Sequence, residues 1–139
     1  MKEFRSNCPL ARSLDIVGDK WTLLILRDIS AFGKTTFKEI SQMQEKIATN
    51  TLSDRLERLT GEGLITKTQS KKNKLVYHYN ITEKGLELVP VVKGFMEWSM
   101  KYNYQESEME DLQNLLSTVK LNKKEAVQKG QSFLCCQLS

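Results

Sequence analysis

Between positions 47 and 59, short or forked polar side chains alternate with leucines. Leu52, Leu56 and Leu59 recur at i, i+4 and i+7, the spacing of one buried helical face. Thr49, Asn50, Ser53, Asp54, Arg55 and Arg58 then point outward. Hydroxyl, amide and guanidinium groups of this reach bond base edges and phosphates in a major groove. Lys71, Lys72, Asn73 and Lys74 follow as a polar turn between two β-patterned segments, and three ammonium groups at an exposed tip suit phosphate contact. An ordinary solvated hairpin is the alternative. The third reactive position is Cys8, directly before Pro9. A thiol at a helix start, near the unpaired amides and with Arg5 and Arg12 close in sequence, is favoured as thiolate and suits an oxidant trap. The competing reading is a small residue merely tolerated before a proline.

These groups need elements to hold them. Pro9 at the first helical position opens a helix with Leu10, Leu14 and Val17 at helical spacing, and Cys8 falls at its N-cap. After Gly18, Asp19 caps a second helix expected over 20–29. There Trp21, Leu24, Ile25 and Ile29 form one stripe that Leu23 and Leu26 widen, so this helix belongs at the centre of the core. Phe37, Ile40 and Met43 mark a short third helix with Lys38 and Glu39 outward; Lys38 joins the candidate DNA contacts. The polar helix follows. Ala48 stands where a capping side chain is expected, so Thr49 or a shifted start must serve instead. Gly61 and Gly63 end that helix. Strands are expected over 64–70 and 75–81, with Leu75, Tyr77, Tyr79 and Ile81 on one face. Helix, turn, helix and hairpin in this order make a winged helix-turn-helix, mainly α with a small β-hairpin.

Beyond the hairpin, Thr82 caps a long helix expected over 82–102, with Pro90 bending it. Its apolar residues fall on two stripes: Leu88, Val92, Phe95 and Met96 on one, Val91, Trp98 and Tyr102 on the other. One stripe can face its own domain and the other needs a partner, either the N-terminal helix or a second copy. The candidate dimer contacts are Val91, Phe95, Trp98 and Tyr102. Met109, Leu112, Leu115, Leu116 and Val119 suggest one more helix over 107–119 that extends the dimerisation helices. The remaining tail, with Cys135 and Cys136, gives no clear pattern.

The 139 residues divide into a winged-helix domain over 1–102 and a C-terminal extension over 103–139. Residues 1–102 carry 17 basic and 12 acidic side chains while 103–139 carry 4 and 5, so the positive excess lies with the candidate reader of DNA. No apolar run reaches membrane-spanning length and the N-terminus lacks a signal-peptide core, so a cytoplasmic protein with no membrane contact is expected. Three cysteines in such a compartment are free thiols rather than a disulfide framework. The single histidine, His78, lacks metal-ligand neighbours and no Gly-rich phosphate loop is present, so no enzyme, metal or cofactor is expected.

Several blocks together carry a family likeness. They are Cys8-Pro9-Leu10, Gly18-Asp19-Lys20-Trp21-Thr22-Leu23-Leu24-Ile25-Leu26-Arg27, the leucines 52–59 with Gly63-Leu64-Ile65, and Tyr79-Asn80-Ile81-Thr82-Glu83-Lys84-Gly85 with Pro90. Over 8–102 the chain resembles the HxlR-type, MarR-like winged-helix transcriptional regulators of bacteria. The resemblance implies a homodimer, acting as a repressor, on a pseudo-palindromic stretch of double-stranded DNA. Thr49, Asn50 and Ser53 match the family's base-facing positions, and Lys71, Lys72 and Lys74 its backbone contacts. It also implies redox sensing, since some members sense electrophiles or oxidants through the cysteine corresponding to Cys8. Asn73-Lys74-Leu75 replaces a Pro-Pro-Arg run common in the family's wing, and the chain continues past the family's usual end. Two other functions remain open: a winged helix serving only protein interaction, and a regulator answering to a small-molecule ligand rather than to thiol chemistry.

Overall fold

The computed structural model describes residues 2–114 and 117. Helix α1 (Pro9–Val17) leads to α2 (Thr22–Ala31), α3 (Phe37–Ser41) and α4 (Thr49–Gly61). A hairpin of β1 (Ile65–Gln69) and β2 (Tyr77–Ile81) follows, and then α5 (Glu83–Leu86) and α6 (Val89–Asn103). The hairpin is antiparallel, with Ile65 opposite Ile81 and Gln69 opposite Tyr77. Alpha helices with one two-stranded wing give the winged helix-turn-helix expected from the sequence. No helix among the described residues is long and apolar enough to cross a membrane.

Helix α2 is the centre of the core, packed against α3, α6 and β2. Ile25, Leu26 and Ile29 are buried with Ile40 and Met43, with Leu52, Leu56 and Leu59 of α4, and with Ile65, Tyr79 and Ile81 of the wing. Trp21 packs partly buried at the edge of this cluster. The helix begins two residues later than expected because Asp19 reaches forward from outside it. Its Oδ1 accepts the N–H groups of Trp21 (3.0 Å) and Thr22 (3.1 Å), and its Oδ2 accepts the Thr22 hydroxyl (2.5 Å).

The end of α4 shows why the glycine spacing matters. Gly63 takes φ +71°, its N–H donates to the Thr60 carbonyl, and the Leu64 N–H donates to the Leu59 carbonyl. This is a Schellman closure, in which buried Leu64 also meets buried Leu59. Gly61 is simply the last helical residue. At the other end, Ala48 occupies the cap position with no side-chain bond, so neither Thr49 nor a shifted start supplies the cap.

Four further expectations are corrected. The single helix over 82–102 is two helices. Thr82 caps α5 by accepting the Gly85 N–H at 3.1 Å, but the chain tightens through Leu88 N–H to Gly85 O, and Pro90 lies in the first turn of α6. A proline is tolerated there because the amide it lacks would have had no helical partner. Leu75 lies outside β2 and is 90% exposed, since the turn closes through Ser70 N–H to Val76 O and leaves 71–75 as the tip. Phe95 belongs with Val91, Trp98 and Tyr102 on the outer stripe of α6, while Val89 and Met100 are buried on the inner face and Met96 packs partly buried beside the core. The helix expected over 107–119 starts two residues later, after a short 3-10 turn (Glu106–Glu108), and is present over 109–114, while Leu115, Leu116 and Val119 lie outside the described residues. Cys135 and Cys136 lie outside the described residues.

Gly85 sits where α5 crosses the chain between α4 and β1. A Cβ there would lie 2.2 Å from the Leu64 carbonyl oxygen and 2.7 Å from Ile81 Cγ1, whereas one at Gly63 would meet nothing and only strain the positive φ. Gly85→Ala should therefore cost about 2–3 kcal/mol and Gly63→Ala about 1–2 kcal/mol. Urea unfolding of both variants checks the order, and an equal or reversed loss would count against this crossing.

Candidate nucleic-acid interface

The structure exposes Thr49, Asn50, Ser53 and Asp54 on one side of α4, opposite the buried Leu52, Leu56 and Leu59. Thr49 and Asn50 form the first turn. With no capping side chain before them, the positive end of the helix lies open beside these two residues. Asn50 keeps its Oδ1 on the Thr51 N–H at 3.0 Å, so its amide nitrogen is the end turned to solvent. Lys38 of α3 is exposed as well.

Arg55 has a different setting from the other polar residues of α4. Its Nε donates to Asp19 Oδ1 at 3.0 Å and its Nη1 bonds Asp54, leaving it only partly accessible. The guanidinium thus ties α4 to the start of α2, and it draws Asp54 into the same cluster. Arg58 turns the other way, with Nη2 3.5 Å from the Asp15 carbonyl of α1. Of the candidate base contacts on α4, Thr49, Asn50 and Ser53 lie outside this brace.

In the wing, Lys71, Lys72 and Lys74 are all exposed, and none has an ion pair among the described residues. The tip is nonetheless ordered. Ser70 Oγ accepts the N–H groups of Lys72 and Asn73, Asn73 Oδ1 accepts the Leu75 N–H at 3.0 Å, and Gln69 Nε2 donates to the Lys74 carbonyl at 2.7 Å. Lys67 adds a fourth cation on the hairpin, 4.4 Å from the centre of the Tyr77 ring. The wing root is pinned to the core by the Tyr79 N–H on the Thr35 carbonyl (2.6 Å) and by the contact of Thr35 Oγ1 with His78 Nδ1 (3.1 Å).

One charged group went unseen in the sequence. Asp28, fully enclosed on α2, pairs through Oδ1 with Arg27 (2.7 Å) and through Oδ2 with Lys34 (2.7 Å), and Arg27 continues to Glu45 (2.5 Å). An acidic residue beside the core positions Leu26 and Ile29 was the available signal, because such a charge is buried only with partners. The network fixes the loop from α2 to Thr35, and so the wing root.

Cys8 is exposed at the N-cap of α1. The two nearby arginines are engaged elsewhere: Arg5 pairs with Asp15, while Arg12 donates to Asn7 Oδ1 (2.6 Å) and the Ser6 carbonyl (3.1 Å). On α6, Val91, Phe95, Trp98 and Tyr102 stand exposed at i, i+4, i+7 and i+11, and Leu10 and Leu14 of α1 are exposed too. The first helix therefore does not cover the outer stripe. Among the described residues no cluster of His, Cys, Asp and Glu could hold a metal ion.

Comparison with known proteins agrees with this architecture. The family model described as HxlR-like helix-turn-helix matches residues 16–107. The uncharacterized HTH-type transcriptional regulator YdeP of Bacillus subtilis strain 168 is 33% identical over 95 residues, spanning 68% of this chain and 73% of YdeP. The chain spans only 58% of the length of a mycobacterial HTH-type regulator that it matches at the same identity. Among solved structures, that of PA1607 superposes with a TM-score of 0.66 at 31% identity, covering 73% of this chain and 70% of that one. The reduced form of the transcriptional regulator YodB from B. subtilis superposes with a TM-score of 0.56 at 25% identity, covering 70% and 96%. YodB has also been solved after diamide treatment.

The Asp19 cluster makes stability depend on pH. Partial burial alone would raise the Asp19 carboxyl, but the bonds from Thr22, the Trp21 N–H and Arg55 outweigh it and hold it below its ordinary value of 3.8. A carboxyl lowered in the folded state contributes stability above its unfolded value and loses that contribution as the pH falls through the folded one. Asp19→Asn should be about 1 kcal/mol less stable at neutral pH and lose stability less steeply than wild type between roughly pH 5 and pH 2. Parallel acid slopes in urea titrations would show that Asp19 is not a contributor.

Proposed function

The chain belongs to the HxlR-like helix-turn-helix family of transcriptional regulators, and on that premise we propose that it represses transcription by binding a pseudo-palindromic operator as a homodimer. The observation that carries the reading is the open polar side of α4 in the same fold as a hairpin whose tip holds three exposed lysines. In this reading Thr49, Asn50 and Ser53 contact base edges. Lys71, Lys72 and Lys74 contact the sugar-phosphate backbone beside the groove, and Lys38 adds a phosphate contact from α3. Arg55 and Asp54 act on DNA by setting the angle of α4. Residues 1–102 carry DNA binding and pairing, and 103–139 are an extension to that unit.

Support for pairing comes from the outer stripe of α6. Phe95, Trp98 and Tyr102 are each at least 60% exposed, and the Trp98 and Tyr102 rings lie 5.7 Å apart. Aromatic residues clustered in this way are what an interface core is made of. Gly94 leaves a hollow between Val91, Phe95 and Trp98 where a side chain of a second copy can seat. A two-fold axis through this stripe would present two α4 helices to successive major grooves, about 34–36 Å apart.

Redox control through Cys8 rests on its exposure at the start of α1 and on YodB, a relative in fold studied in reduced and diamide-treated forms. Oxidation or alkylation of Cys8 would alter the α1 end of the dimer and lower DNA affinity.

Three outcomes test these assignments. On an operator selected from random duplexes, Asn50→Ala and Ser53→Ala should change sequence preference by about 1–3 kcal/mol at single positions. Lys72→Ala and Lys74→Ala should weaken all sequences alike and flatten the salt slope by about one each; equal effects from all four variants would refute this division of labour. Trp98→Glu should sediment as a monomer at micromolar concentration with much weaker operator binding, and a monomeric wild type would overturn the dimer. Titration with diamide should release operator from wild type but not from Cys8→Ser; a Cys8→Ser protein that responds like wild type removes Cys8 as the switch.

A further inference from the structure

A cavity of about 370 Å³ opens between α2 and α6. Its walls are apolar: Leu24 from α2, Val92, Met96 and Met100 from α6, Phe95 at the edge it shares with the outer stripe, and Tyr104 and Leu112 from the segment beyond α6. Such a size and lining, with few polar groups at the rim, is the usual form of a small-molecule site.

Three charged residues border it, Asp19, Lys20 and Arg27. Asp19 is satisfied by Arg55, Thr22 and two backbone amides, and Arg27 by Asp28 and Glu45. Lys20 lies 5.0 Å from the Trp21 ring and has no carboxylate partner among the described residues. The uncommitted charge at the mouth is therefore positive, while the interior is apolar.

We propose that this cavity is an effector site for a compact amphipathic organic anion, an aromatic or branched aliphatic carboxylate, whose apolar body lies between α2 and α6 and whose carboxylate meets the Lys20 ammonium. The proposal rests on the regulator reading and names the ligand class for it. Lys20 adjoins Asp19, the residue that holds Arg55 of α4, so an anion seated there acts next to the brace that sets the DNA-reading helix.

The test uses the full chain, with 2-naphthoate and its uncharged analogue 2-naphthamide as probes in calorimetry and ligand-observed NMR. Naphthoate should bind saturably and about fivefold more tightly than the amide. Lys20→Gln should erase that difference, and Met96→Trp, which fills the cavity, should abolish binding of both while circular dichroism stays that of wild type. A milder filling variant, Val92→Ile, should weaken both probes even if Met96→Trp does not fold. Binding by neither probe, a charge preference that survives Lys20→Gln, or binding lost in Trp98→Ala but kept in Met96→Trp would overturn the site. The last result would place the probe on the outer stripe instead. Saturating naphthoate should also lower operator affinity several-fold in wild type but not in Lys20→Gln; unchanged affinity would overturn the effector role. A protein that binds naphthoate but no DNA would leave the cavity standing and remove the regulator reading.

Discussion

The contact between Asp19 and Arg55 joins the two helices on which everything else depends. Asp19 starts α2, the helix at the centre of the core, and in the same act holds α4 by its guanidinium. One carboxylate with four bonds is an economical way to couple a core element to a surface one, because each bond fixes the group for the next. The pair is only partly buried, so its worth in stability is modest; its consequence is geometric. The angle between α2 and α4 decides which side chains of α4 reach outward, and Thr49, Asn50 and Ser53 are placed by it.

A second charge network does the same for the wing. Asp28 would be very costly to enclose alone, and Arg27 and Lys34 take up both of its oxygens. Because Lys34 comes from the loop after α2, the pairing holds that loop against the helix, and Thr35 next to it receives the Tyr79 N–H of β2. A chain of bonds thus runs from the core through Asp28 and Thr35 to the hairpin. Wing and α4 are both referred to α2, by two carboxylates at its opposite ends.

Sequence patterning revealed the order of elements and most of their buried faces, because leucine and isoleucine spacing follows directly from burial. The Schellman end of α4 was legible in Gly63, and the start of α5 in Thr82. What the pattern missed depended on partners distant in sequence. Arg55 looks like any outward arginine until Asp19, 36 positions earlier, is brought beside it. Asp28 reads as an oddity until Lys34 closes on it, and the cavity between α2 and α6 exists only once Tyr104 and Leu112 return over it. Leu75 erred for a local reason: alternation continued on paper through a residue that the turn chemistry of Ser70 and Asn73 had already taken out of the strand. Phe95 lies at the border of two stripes only 100° apart, where spacing alone assigns either side.

The three features proposed for regulation converge on α6 and its surroundings. The outer stripe of α6 is exposed and aromatic, its inner face lines the cavity, and the cavity mouth reaches Lys20, just before α2 and next to Asp19, which braces α4. In the proposed dimer a shift of α6 relative to α2 would change both the seating of a second copy and the distance between two reading helices. Operator binding tolerates little change in that distance, because the grooves recur at a fixed spacing. A small ligand between α2 and α6 would therefore have leverage that its size alone does not suggest: it would act on one of the contacts that attach α6 to the winged-helix core, another being the packing of α5 against Leu64 and β2. Cys8, on the exposed end of α1, is not among the residues lining that cavity, so thiol chemistry there would bear on the proposed assembly from a different side.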